Sequence, residues 1–126
     1  MAQVKIVIPG EPRTKKNSQR ILQTKDGRRF VAPSEQYKRY EEDSGWFVPA
    51  NNISVPVNVK CEYYMGTRRK KIDLCNLLEA TCDILVRYGC LKDDSIDIVV
   101  SHDGSRVFYD KENPRVEVTI DAVEGR

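Results

Sequence analysis

Between Val55 and Leu85 the chain changes its hydrophobic period once, and that change restricts its fold more than any other feature. In "ISVPVNVKCEYYMG", Val55, Val57, Val59, Cys61 and Tyr63 alternate with Asn58, Lys60 and Glu62, the pattern of a strand with one buried face. Further on, Leu74, Leu77, Leu78, Thr81, Cys82 and Leu85 recur at i, i+3, i+4, i+7, i+8 and i+11, a full apolar helix stripe. Asp73 stands where an N-cap belongs and Gly89 where a helix stop belongs. A one-faced strand and a one-faced helix must bury those faces against something, which points to stacked layers.

The flanking sequence completes the layers. "VKIVIPG" places Val4, Ile6 and Ile8 on one face and stops at Pro9-Gly10, as an edge strand would. Residues 10–32 are basic and lack apolar periodicity, and their "KDG" turn signal predicts a long loop or a small hairpin. Pro33 and Ser34 predict a helix from Ser34 to Asp43, with Tyr37, Tyr40 and the Trp46-Phe47 pair near helical spacing. "IDIVVSHDGSRVFYD" predicts a hairpin around Asp103-Gly104, and Val116, Val118 and Ile120 alternate in a closing strand. The expected fold is a single α+β domain over residues 1–126. It has two layers, a mixed sheet of four to five strands covered by two helices. A length of 126 residues suits one domain.

Charge is segregated along this frame. Residues 11–40 hold nine Lys/Arg against three acids, whereas residues 93–126 hold nine Asp/Glu against four Lys/Arg. A basic first third with an acidic last quarter suits an anionic ligand bound near an acidic site. The N-terminal apolar run is too short for a signal peptide or a membrane span, so a cytoplasmic protein without membrane contact is expected. Cys61, Cys75, Cys82 and Cys90 fit no zinc-ligand spacing, and His102 is the only histidine. The thiols are expected to be reduced.

The chemistry concentrates in "RRKKIDLCNLLEATCDILVRYGCLKDD". Asp73 enters the helix, Glu79 and Asp83 lie with Asn76 on its polar side, and Asp93-Asp94 follow in the next turn. Arg87 can offset part of the Glu79/Asp83 repulsion. Clustered carboxylates suit Mg²⁺, which takes oxygen ligands and keeps waters that phosphate oxygens can replace. Arg68, Arg69, Lys70 and Lys71 beside them supply countercharge for a polyanion. "PRTKKNSQR" adds Arg13, Lys15, Lys16 and Asn17, donors suited to phosphate. His102-Asp103-Gly104 reads as a hairpin tip, with no role for His102.

Taken together, "IVIPGEPRTKKNS", "PSEQYKRYEE", "VPVNVKCEYYM" and "RRKKIDLCNLLEATCDIL…GCLKDDS" resemble the RusA-type Holliday junction resolvases over most of the chain. These are small homodimeric Mg²⁺-dependent endonucleases, often encoded in prophages. In the family the last segment reads as a basic run, Asp-Leu-Asp-Asn-Leu, a Lys three residues after that Asn, and later Gly and a double Asp. The resemblance implies paired nicking of four-way DNA junctions in recombination and repair. It implies catalytic, metal-binding roles for Asp73 and Asp94, with the neighbouring Asp93 as a further metal ligand. Asn76 and Asp83 also match.

Two positions depart. Cys75 stands at the second catalytic Asp and Glu79 at the catalytic Lys. A thiolate is a poor Mg²⁺ ligand. Cys75 and Glu79 are one turn and about 40° apart, and helix side chains lean toward the N-terminus. Glu79 is therefore expected to supply the missing carboxylate, completing a site with Asp73 and Asp94 for Mg²⁺ or Mn²⁺. Lys71, Lys70 or Lys16 would replace the lost cation. The expected function is a structure-selective endodeoxyribonuclease on branched DNA. The other reading is a junction-binding module on the same scaffold without cleavage. The expected homodimer would use Trp46-Phe47 or a strand edge.

Overall fold

A computed structural model describes residues 1–15, 19–68 and 72–124. Its main sheet contains β1 (Val4–Pro9), β4 (Val57–Met65), β5 (Val99–Ser101), β6 (Arg106–Tyr109) and β7 (Arg115–Ala122). The order is β1-β7-β4, with β5 and β6 both on the far side of β4. β1 pairs β7 and β7 pairs β4 antiparallel, while β5 and β6 run parallel to β4. The sheet is thus mixed and five-stranded, and two helices, α1 (Glu35–Ser44) and α2 (Leu74–Arg87), accompany it. The expected α+β architecture is the observed one. A separate hairpin, β2 (Gln19–Gln23) and β3 (Arg29–Pro33), closes through the "KDG" turn.

Alternation decides which face of the sheet is covered. Ile6, Ile8, Val57, Val59, Cys61, Tyr63, Met65, Val116, Val118 and Ile120 are all buried, and Leu77, Ile84 and Leu85 of α2 pack into the same core. Lys5, Val7, Lys60, Glu62 and Thr119 on the opposite face remain partly or fully exposed. Tyr37 seats α1 as a fully buried residue, and Ser34 caps that helix by accepting the Tyr37 amide at 3.1 Å. Arg87 is drawn to Glu41 of α1, so it ties the helices together rather than offsetting Glu79 and Asp83. The Trp46-Phe47 pair belongs to a short 3-10 turn, Gly45–Phe47, and Trp46 is 88% exposed.

The hairpin expected around Asp103-Gly104 does not form. β5 and β6 lie end to end along one edge of β4, so they are a single strand interrupted by a four-residue excursion at 102–105. Side chains replace the lost ladder bonds there. His102 Nδ1 lies 2.8 Å from the Val59 carbonyl, and the Cys61 amide donates to Ser105 Oγ at 2.9 Å. Asn58 brackets Asp103, accepting its amide at 2.7 Å and donating to its carbonyl at 3.1 Å. Gly104 turns the excursion at φ +85°. Asp-Gly signals a sharp turn, and here that turn returns the chain to the same β4 edge instead of starting a new antiparallel partner.

Candidate active site on the second helix

The rotation of α2 about its axis decides which residues reach solvent, and a buried polar contact fixes it. Thr81 Oγ1 donates to the Leu77 carbonyl at 2.9 Å, so the Tyr63 hydroxyl of β4, 2.7 Å away, must donate to Thr81. With Leu77, Ala80, Thr81, Cys82, Ile84 and Leu85 held inward, Cys75, Asn76, Glu79 and Asp83 face outward or lie half-covered. Leu74 and Leu78 of the expected stripe are only partly buried, and Leu78 borders a cleft.

Asp73 occupies the N-cap position, yet its side chain makes no capping bond. Its carboxylate is exposed and accepts from Asn76 Nδ2 at 3.4 Å, leaving acceptor capacity free at the positive end of the helix. Gly89, at φ +81°, ends the helix, and the Cys90 and Leu91 amides both return to the Leu85 carbonyl. Buried Cys90 and Leu91 then anchor the chain before the Asp93-Asp94 turn. Asp93 Oδ1 accepts the Asp94 amide at 2.8 Å, so Asp93 works as a turn former.

Asp94 instead borders a cleft of about 320 Å³ together with Cys75, Leu78, Glu79, Cys82, Val99 and His102. Two carboxylates separated in sequence by a helix end and a turn thereby line the same cleft. Glu79 also faces a smaller recess with Lys15, Asn76, Ala80 and Asp83, where Lys15 Nζ stands 3.5 Å from Asp83 Oδ2. Asp73 and Asp93 are not among the residues lining either cavity. Among the described residues, no three His, Cys, Asp or Glu side chains stand close enough to hold a metal ion by themselves.

The cysteines divide into two kinds. Burial pushes the Cys61 thiol up to about 12, and the Cys82 thiol to about 12 with help from the nearby charges of Cys61, Asp94 and Asp83. Cys90 rises to about 11 by burial alone. These three are protonated at neutral pH and serve as core. Cys75 is exposed on the cleft wall.

Of the expected DNA-contact residues that are described, Lys15 lines the recess, and Arg13 and Arg68 line neither cavity. Arg13 donates to Gln36 Oε1 at 3.3 Å and lines a groove of about 310 Å³ with Arg39 and Tyr40. Arg68 stacks its guanidinium 4.0 Å above the Tyr109 ring. Lys16, Asn17, Arg69, Lys70 and Lys71 lie outside the described residues. Sequence reasoning missed His102, which reaches the large cleft because the strand excursion turns it there. A carbonyl only accepts, so Nδ1 carries the proton and Nε2 is the nitrogen left for other contacts. Its signal was present in "SHDGS", where polar residues interrupt an apolar strand.

A family model described as Endodeoxyribonuclease RusA matches residues 9–121, from the end of β1 through the second helix and the Asp93-Asp94 turn into β7. No curated protein matches the chain.

Proposed function

Since the chain belongs to the RusA family of Holliday junction endodeoxyribonucleases, we propose that it hydrolyses the phosphodiester backbone of branched DNA with a divalent metal, at the cleft between α2 and the Asp93-Asp94 turn. The observation that carries this reading is that Glu79 and Asp94 line one cleft. Mg²⁺ is commonly held by one or two carboxylates, with waters and substrate phosphates completing its shell. Two carboxylates in an open cleft fit that habit, and Mn²⁺ fits it equally. Glu79 and Asp94 would hold the ion and Cys75 would leave it to the oxygens, whereas Asp73, expected as a third ligand, lines neither cavity and would act only through waters of the ion's shell. Bound there, the ion would act as a Lewis acid and lower the pKa of its water.

The remaining roles belong to the protein. Asn76 orients the Asp73 carboxylate through its 3.4 Å contact. Asp93 fixes the turn that presents Asp94. Arg13 and Arg68, with Lys16, Asn17, Arg69, Lys70 and Lys71, grip the backbone, so binding reads junction shape and weakens as salt rises. A four-way junction has two-fold symmetry, and two related cuts ask for a homodimer. The exposed Trp46-Phe47 pair and the free edge of β1 are its candidate contacts.

The test is cleavage of four-way junctions, forks and linear duplex with Mg²⁺, Mn²⁺ or chelator. The proposal expects metal-dependent cutting of branched DNA that falls on the order of a hundredfold or more in Asp94→Asn and in Glu79→Gln. Cys75, a thiol where the family pattern carries a carboxylate, supports the other reading. Tight junction binding without cleavage under either metal would establish that binding-module reading instead.

A further inference from the structure

We infer that Lys15 is the catalytic cation of this centre, the group that meets the charge growing on the scissile phosphate. The inference rests on the nuclease reading above. Phosphoryl transfer to water loads negative charge onto the non-bridging oxygens, and catalysis is largely a matter of placing positive charge there in advance. Among the described residues lining the cleft and the adjoining recess, Lys15 is the one cation.

Its placement is built, although the surrounding sequence reads as a basic loop. The segment leaves β1 and is pinned at once. Glu11 accepts the Gly66 amide at 2.6 Å and the Thr67 hydroxyl at 3.3 Å, fastening the chain to the end of β4. Pro12 and Thr14 are buried, and Arg13 is held by Gln36 of α1. The chain is thus anchored on both sides of Arg13, and Lys15 is delivered between the helices. Its ammonium lies 5.9 Å from the Tyr37 ring centroid and 3.5 Å from Asp83, in the recess whose other wall is Glu79.

That arrangement matches a cation held ready. The pair with Asp83 is partly exposed, with side chains 45% and 33% accessible, so it orients Lys15 without holding it tightly. Glu79 lines both the recess and the cleft, so it is the shared boundary across which Lys15, once released by Asp83, would reach a phosphate seated in the cleft. In the step itself a water oxygen bonds to phosphorus as the bond to the leaving oxygen breaks. The water supplies one proton, the leaving oxygen gains one through solvent, and Lys15 transfers none.

The experiment compares wild type, Lys15→Met and Lys15→Arg by single-turnover junction cleavage at saturating protein. Junction Kd and thermal midpoint are measured alongside. A catalytic cation predicts a cleavage rate about a hundredfold lower in Lys15→Met, with Kd raised no more than about threefold. Lys15→Arg should recover to within about tenfold of wild type, and the midpoints should agree. Weaker binding with a wild-type rate at saturation would make Lys15 an ordinary backbone contact and overturn the inference. An unchanged rate and Kd would overturn it too. Wild type that binds junctions and cuts none sinks the nuclease reading and this inference with it, whereas wild-type cutting matched by Lys15→Met sinks the Lys15 role alone.

Discussion

The Tyr63 hydroxyl donates to Thr81 Oγ1 across 2.7 Å inside the core, joining the central strand of the sheet to the middle of α2. The helix residues that line the cleft and the recess lie between Cys75 and Asp83, a stretch that includes Thr81. The bond therefore acts on function through geometry, by selecting the helix face that is offered to solvent. Breaking it from the helix side leaves the buried Tyr63 hydroxyl without its acceptor. Thr81→Val should lower unfolding free energy by about 1–3 kcal/mol, and Tyr63→Phe by about 0.5–1.5 kcal/mol because Thr81 keeps its bond to Leu77. Urea unfolding with unchanged m-values would check both numbers. A Thr81→Val variant as stable as wild type would show that the contact does not fix the helix.

The excursion at 102–105 makes a second prediction. Asn58 satisfies both backbone groups of Asp103, and Gly104 supplies the left-handed turn. Gly104→Ala forces a Cβ into a conformation costing about 1–2 kcal/mol, and that Cβ would meet Lys60 Cδ at 2.8 Å. The lysine stem can swing aside, so the backbone term should dominate. Asn58→Ala should cost a comparable amount, about 1–3 kcal/mol, by removing the partner of the Asp103 amide, the Asp103 carbonyl and the Ser101 hydroxyl. Both losses are read by thermal or denaturant unfolding.

Thiol chemistry separates Cys75 from the rest. Cys61 and Cys82 hold their protons up to about 12 and Cys90 up to about 11, and all three are buried. The thiolate is the reactive form, so at pH 8 these groups are both protonated and inaccessible. A disulfide reagent should titrate Cys75 alone in the native protein and all four thiols in denaturant. Junction cleavage should fall when Cys75 carries a bulky adduct, since that residue lines the proposed metal cleft. Fast native labelling of Cys82 would mean that α2 does not pack as described.

Periodicity made the frame of this protein readable from sequence, because strand alternation and helix stripe are local signals. The Val57–Met65 strand and the Leu74–Arg87 helix lie where alternation and stripe put them, except that Val55, read as part of the buried strand face, falls before the strand and is exposed. The Asp103-Gly104 turn was readable too, but not its outcome. A hairpin tip and an excursion within one strand use the same turn residues. What decides between them is pairing with β4, a contact distant in sequence. The site shows the same limit. Carboxylates such as Glu79 and Asp94 declare their chemistry, whereas their place along the same cleft depends on the helix stop at Gly89 and on the anchors Cys90 and Leu91. The same limit hid the position of Lys15, since nothing local in "PRTKKNSQR" distinguishes it from Lys16. Its recess is set by Asp83 and Glu79, far along the chain.

The paired aspartates after α2 provide the sharpest contrast between a structural and a chemical role. Asp93 spends one oxygen on the Asp94 amide, and Asp94 lines the cleft. An asparagine at position 93 keeps an acceptor oxygen in the same place, so Asp93→Asn should leave stability within about 0.5 kcal/mol and cleavage near wild type. Asp93→Ala removes the acceptor and should cost about 0.5–1.5 kcal/mol, with a modest fall in rate as the turn loosens. Asp94→Asn should fold as well as wild type and lose cleavage by on the order of a hundredfold or more, while still binding junction DNA. Raising the metal concentration should recover part of that loss, because a weakened ligand set is partly offset by mass action. Were the two asparagine variants equally inactive, the turn would carry the ion through both carboxylates, and Asp93 would have to leave its bond to the Asp94 amide when metal binds.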